Sequence, residues 1–164
     1  MTNRDNGLRN DPAEAIADLY RALRRFAGVV GPIEVDPDDL VQEAWVRTLR
    51  VTSLSELDNP GAYLRRVIVN LASSHRRRFA RRRTALSRWR ATESHSVQPV
   101  YPSDIADLLR LRPKERAVLY LHDIEGYPFQ EVAAMLGMSD TALRMMASRA
   151  RRKLHDLLTE EAQR

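Results

Sequence analysis

The sequence predicts an all-α protein of two small helical domains, an N-terminal helical bundle and a C-terminal helix-turn-helix, joined by a flexible linker. Three observations carry this. Every strong apolar periodicity runs at three- and four-residue steps, and strand alternation is absent. Helix starts are announced by a cap followed by proline, as at Asp36-Pro37 and Asn59-Pro60. The stretch from Arg83 to Ser103 loses periodicity and holds Pro99 and Pro102. A connection of that length is unusual inside one compact domain. The expected division is a disordered start (1–12), a first domain (13–83), a linker (84–103), a second domain (104–158) and a short tail (159–164).

Taken in order, Ala13 to Val30 sets Ile16, Leu19, Tyr20, Leu23, Phe26, Ala27 and Val30 on one helix face. Gly31-Pro32 ends it. Asp36 is then the expected cap of a helix reaching Leu49 or Val51, with Asp38 and Asp39 in the first turn, where the helix dipole favours acids. After Asn59-Pro60, the residues Leu64, Val67, Ile68, Leu71, Ala72 and His75 form the next apolar stripe. Beyond the linker, Ile105, Leu108, Leu109 and Leu111 give one helix. Pro113 opens another, with Ala117, Val118, Leu121 and His122 on its apolar face. Gly126-Tyr127-Pro128 is a turn, Phe129 to Leu136 a short helix, Gly137-Met138-Ser139 a tight turn, and Ser139 or Asp140 to about Leu158 the last helix.

The chain of 164 residues carries 27 Lys and Arg against 22 Asp and Glu, a net +5 spread unevenly. Residues 1–62 sum to −4 and residues 91–164 to −1, while Tyr63 to Arg90 holds ten arginines and no acid. Such asymmetry points to a polyanionic partner. An apolar content of 43% is enough for a core, and the absence of cysteine removes disulfides, thiolate metal sites and cysteine nucleophiles. No run approaches the ~18 apolar residues of a membrane span. The polar start lacks a secretory signal, so a cytoplasmic location without membrane attachment is expected.

Two constellations carry chemistry. With Leu64 at zero and 100° per residue, Leu64, Val67, Ile68, Leu71 and His75 lie within about 60° of zero. Arg66, Asn70, Ser73 and Arg77 lie opposite, flanked by Arg65 and Arg76. Arginine suits phosphate or a guanine edge, asparagine an adenine edge, and serine phosphate. Arg76-Arg77-Arg78 and Arg81-Arg82-Arg83 extend this into a basic ridge. A membrane-surface helix would also be basic on one side, but its apolar face would be richer in Trp, Phe and Leu.

The second constellation is the helix-turn-helix from Phe129 to Lys153. Leu143, Ala147, Ala150 and Leu154 face inward. Thr141, Met145, Ser148 and Arg152 face outward with Arg144 and Arg149 beside them, after Ser139 at the cap. That outward face is acid-free and suits a major groove.

Catalytic chemistry finds no support. There is no Gly-rich phosphate loop, no His-Glu-x-x-His, and no nucleophile with a base. His95, His122 and His155 share no metal spacing, and His75 reads as a packed histidine. No metal or cofactor is expected. Asp38, Asp39 and Glu43 read as helix-start acids or as contacts for a basic partner.

The segment Asp38-Asp39-Leu40-Val41-Gln42-Glu43-Ala44-Trp45, followed by Tyr63-Leu64-Arg65-Arg66-Val67-Ile68-Val69-Asn70-Leu71-Ala72, resembles region 2 of bacterial extracytoplasmic-function (group IV) sigma factors. Leu111 to Arg116, His122 to Gly126, and Glu131 through Ala150 resemble their region 4, in the same order around a variable linker. The resemblance spans roughly residues 13–158. It implies binding to core RNA polymerase and promoter-directed transcription initiation, with an anti-sigma factor as a further partner. It also implies polymerase contacts at Asp39, Leu40, Gln42, Glu43 and Trp45. Minus-10 contacts would come from Tyr63, Arg65, Arg66, Asn70, Ser73, Arg76 and Arg77. Minus-35 contacts would come from Ser139, Thr141, Arg144, Met145, Ser148, Arg149 and Arg152. The chain departs from the family pattern at Ser74, where many members carry Asp. It departs again at Ala142-Leu143-Arg144-Met145-Met146, where they commonly carry Thr-Val-Lys-Ser-Arg; Met145 there could meet a thymine methyl and Met146 reads as semi-buried packing. The other reading of the motifs is a free-standing helix-turn-helix regulator with an N-terminal sensing or dimerising domain; a third is an RNA- or membrane-binding adaptor using the arginine ridge.

Overall fold

The structure, a computed structural model, describes residues 12–89 and 108–162. The described residues are helices joined by turns: α1 (Pro12–Val30), α2 (Pro37–Leu49), α3 (Pro60–Trp89), α4 (Pro113–Leu119), α5 (Phe129–Leu136) and α6 (Asp140–Ala162). A single 3₁₀ turn, Leu54–Glu56, precedes α3, and the backbone widens into a π-helical segment, Tyr120–Ile124, directly after α4. None of the described helices is long and apolar enough to cross a membrane.

Local chemistry accounts for the helix ends. The Asp36 carboxylate accepts from the Asp38 amide at 2.8 Å and Pro37 takes the first helical position. Asn59 Oδ1 accepts from the Ala62 amide at 2.9 Å at the head of α3. Before α4, Glu115 Oε2 accepts from the Arg112 amide at 2.6 Å. Gly137 closes α5 at φ +64°, a left-handed conformation that glycine adopts without Cβ strain.

The predicted apolar faces are the buried ones, except at the start of α1, where Ile16 is 53% exposed because no described element packs over that first turn. Leu23, Phe26 and Val30 of α1, Leu40, Val41 and Ala44 of α2, and Leu64, Ile68 and Leu71 of α3 have no more than 1% exposure. Each large side chain so buried contributes on the order of 1.5–3 kcal/mol.

Two features depart from the sequence expectation. First, α3 continues to Trp89, into the stretch expected to be linker. The remainder of that stretch, the start expected to be disordered up to residue 11 and the helix start expected near 104 lie outside the described residues, although Pro12 already belongs to α1 and 108–110 is helical. Second, the two halves share one core: Ala117, Val118, Leu121, Val132, Leu143 and Ala147 join the N-terminal cluster. The Phe26 and Tyr120 rings meet across the seam with centroids 5.9 Å apart. Consequently α3 has a second buried flank. Arg65 at 7% exposure, Val69 at 2% and Ala72 at 0% lie on it, between about 80° and 140° on the wheel that sets Leu64 at zero.

Candidate nucleic-acid interface

The polar stripe of α3 borders the seam between the halves. Arg65, expected at the exposed edge of the stripe, is instead turned inward. Its Nη2 lies 3.4 Å from Glu125 Oε2 and its guanidinium stands 5.7 Å from the centre of the Tyr127 ring. A carboxylate and an aromatic face compensate for part of its lost hydration. Arg76 likewise reaches across, donating Nη1 to the Leu111 carbonyl at 2.7 Å.

Arg66 remains exposed but lies on the turn of the helix-turn-helix. A Cβ built on Gly137 would stand 2.7 Å from its Cζ. Tyr63 is half-buried and, with Arg66, lines a hollow of about 380 Å³ against Ala134 and Met135 of α5. Asn70, Ser73 and Arg77 open onto a larger cavity between α3 and the start of α4. Ser73 donates Oγ to the Val69 carbonyl at 2.8 Å, and Arg77 donates Nη2 to Ser74 Oγ at 3.1 Å.

The seam is clasped by Arg116, which sequence reasoning did not single out. At 2% exposure, it donates Nη2 to the carbonyls of Val30 (2.6 Å) and Gly31 (2.9 Å) at the end of α1, and Nη1 to Leu111 (2.9 Å) and Leu109 (3.3 Å). Burial pulls its pKa down to about 10, and the nearby Arg76 cation adds to the fall, so it stays charged at neutral pH. The sequence signal was available: an arginine among Ala117, Val118 and Leu119 on a helix with little room to expose it.

The helix-turn-helix presents its outer face to solvent. Ser139, Thr141, Arg144, Met145, Ser148, Arg149 and Arg152 are all exposed, whereas Leu143, Ala147 and Ala150 are buried. Ser139 Oγ accepts from the Ala142 amide at 3.2 Å, capping α6. Met146 is half-buried. Arg144 folds back: Nε donates to Asp140 Oδ2 at 2.7 Å and Cζ stands 4.7 Å over the Phe129 ring. That ring is also stacked on His122, centroids 3.7 Å apart, and His122 Nδ1 donates to the Tyr127 carbonyl at 2.8 Å.

On α2, Asp39 and Gln42 are exposed and Glu43 is shared between Arg47 (2.6 Å) and His75 Nε2 (3.2 Å). Leu40 corrects the expectation of a partner-facing residue. It has 0% exposure, packed against Gly31, because the 3.6-residue turn puts it in line with Ala44 and Thr48 on the core side. Trp45 is half-buried, and its Nε1 is buried without a hydrogen-bond partner. The apolar groups that α2 does present are Val46 (48% exposed) and Leu49 (57%), continued by Val51 (77%). The sequence reading passed over these three.

Comparison with known proteins matches residues 15–84 to sigma-70 region 2 and residues 108–154 to sigma-70 region 4. The RNA polymerase sigma-E factor of Streptomyces coelicolor is 33% identical over 88% of this chain and 84% of its own length. The probable ECF RNA polymerase sigma factor SigI of Mycobacterium tuberculosis is 31% identical over 90% of the chain and 56% of its own length. The chain thus spans little more than half of that relative. The sigma factor RpoE of Bartonella quintana, solved in complex with the anti-sigma factor NepR, superposes with a TM-score of 0.65 over 92% of this chain and 98% of its own. At 23% identity, that likeness speaks for the fold.

Proposed function

The chain belongs to the sigma-70 family, in its extracytoplasmic-function branch, and from that premise we propose that it binds core RNA polymerase and directs it to promoters, helping to open them. In this reading residues 13–83 act as the region 2 domain, 84–103 as the connecting segment and 104–158 as the region 4 domain. The protein is a specificity subunit with no catalytic role of its own, acting in the cytoplasm where the polymerase is.

One observation carries the proposal. A single chain holds, in family order, an exposed α2 face, an α3 stripe of Arg66, Asn70, Ser73 and Arg77, and a capped helix-turn-helix with an exposed basic face. A regulator with an N-terminal sensing domain has no need of the first two.

Polymerase docks on α2 through Asp39, Gln42, Glu43 and Trp45, with Val46 and Leu49 supplying exposed apolar area. The α6 face reads the minus-35 duplex. Tyr63, Arg66, Asn70 and Arg77 engage the minus-10 element, where Tyr63 offers a stacking surface to an unstacked base. Arg65 and Arg76 are committed to the seam, so they reach DNA only when the halves separate. An anti-sigma partner completes the proposal; the Bartonella relative binds one.

Run-off transcription with purified core polymerase tests this. The expected result is initiation at a specific promoter together with co-purification of the protein with core enzyme. Failure of both sinks the reading.

A further inference from the structure

The cavity beside the α3 stripe is of mixed chemistry. It measures about 610 Å³ and lies where α3 meets the start of α4 and the flank of α6. Its polar side is cationic: Arg76 and Arg77 from α3, Arg112 and Lys114 from the other half. The single carboxylate among the described residues of its wall, Glu115, already accepts from the Arg112 amide at 2.6 Å. Arg76 is held in place by the Leu111 carbonyl and Arg77 by Ser74 Oγ. Its apolar lining is supplied by Ala80, Pro113 and Met146. Met146 is one of the positions at which this chain departs from the family pattern, and it points into this cavity rather than outward with Met145.

We propose that this inter-half cavity is a binding site for a nucleoside di- or triphosphate. Four cations with hydroxyl and amide groups beside them are matched to a chain of phosphates. The Met146–Pro113 wall is matched to a base and sugar, which inorganic phosphate lacks. The volume falls in the range of ordinary small-ligand sites, roughly 300–1,000 Å³. The wall is built from both halves, so the ligand binds only while they are packed together and stabilises that arrangement by linkage. It also occupies Asn70 and Arg77, so it competes with the minus-10 strand. That regulatory consequence rests on the function proposed above; the binding itself does not.

The test titrates the full chain with GDP and ADP, neither of which is a substrate for RNA synthesis, by calorimetry. Guanosine and inorganic pyrophosphate serve as the separated parts. The expected result is saturable binding of a nucleoside diphosphate, tighter than either part. Lys114→Glu, which reverses one cation outside the proposed promoter contacts, weakens it by at least about tenfold. Met146→Ala weakens the nucleotide while leaving pyrophosphate unchanged. Three results overturn the proposal: no saturable binding at millimolar nucleotide, pyrophosphate binding as tightly as GDP, or Lys114→Glu equal to wild type, which would mean ion adsorption on a basic surface. Nucleotide binding by a protein that neither initiates transcription nor co-purifies with core polymerase would leave this site standing and sink the sigma reading. Transcription without binding would do the reverse.

Discussion

Arg116 Nη2 donates to the Val30 carbonyl at 2.6 Å across 86 residues of chain, so a buried arginine of the C-terminal half serves as a cap for the first helix of the N-terminal half. The last turn of α1 has no basic side chain of its own, and its terminal carbonyls would otherwise be buried without donors. The clasp thus couples the ends of α1 and α4 through one guanidinium.

Arg116→Leu leaves those carbonyls buried and unpaired, and its expected cost is about 3–5 kcal/mol, by analogy with breaking a buried charged network. Arg116→Lys keeps the charge but lacks the planar fork, and should fall between. Urea unfolding midpoints check both. A midpoint equal to wild type for the leucine variant would show that the clasp holds nothing.

Gly137→Ala meets two obstacles at once, a φ of +64° and an added Cβ at 2.7 Å from Arg66 Cζ. The expected destabilisation is roughly 1–2 kcal/mol from the left-handed backbone alone. Arg66→Ala in the same background should recover part of it, by removing the atoms in the way. A double-mutant cycle in urea reads the coupling.

Arg149→Ala should weaken binding to minus-35 duplex and reduce the slope of log K against log salt by about 0.9, one phosphate contact. Arg144 starts from a different state because Asp140 and Phe129 hold it. Asp140→Asn should therefore tighten duplex binding, as it removes the competing carboxylate. Fluorescence anisotropy over a salt series measures these effects, and unchanged slopes would exclude these arginines as phosphate contacts.

Val46→Glu with Leu49→Glu places charge on the exposed face of α2. Both side chains are half-exposed, so stability should change by no more than about 0.5 kcal/mol each. Affinity for core polymerase should drop. Loss of binding with an unchanged unfolding midpoint would assign the effect to the surface; intact binding would remove these residues from the interface.

Acid stability has a named contributor. The Asp38 carboxyl is held below its ordinary value of 3.8, first by the Arg24 guanidinium and then by the Tyr20 hydroxyl, at 2.9 Å each. A depressed folded-state pKa means that the stabilisation is complete above 3.8 and is lost as pH falls through the lower folded value. Asp38→Asn should lower stability at neutral pH and flatten the acid limb of the stability curve. Urea midpoints recorded from neutral pH down to about pH 2 read both effects.

The residues themselves determined much of this protein. Helix faces followed from apolar spacing, and the starts of α2 and α3 from Asp36-Pro37 and Asn59-Pro60. The turn at Gly137 followed from the glycine, and the order of the region 2 and region 4 segments from their motifs. These are local properties, set within a few turns of backbone. Tertiary structure alone decided that Arg65 and Val69 are buried, that Arg116 caps α1, and that Arg66 rests on Gly137. A helical wheel divides a helix into one inside and one outside, whereas α3 lies between two halves and has two buried flanks. Which polar groups the second flank conceals depends on what docks there, and the partner of Arg65, Glu125, lies 60 residues away along the chain. Spacing within one helix carries no record of contacts at that separation.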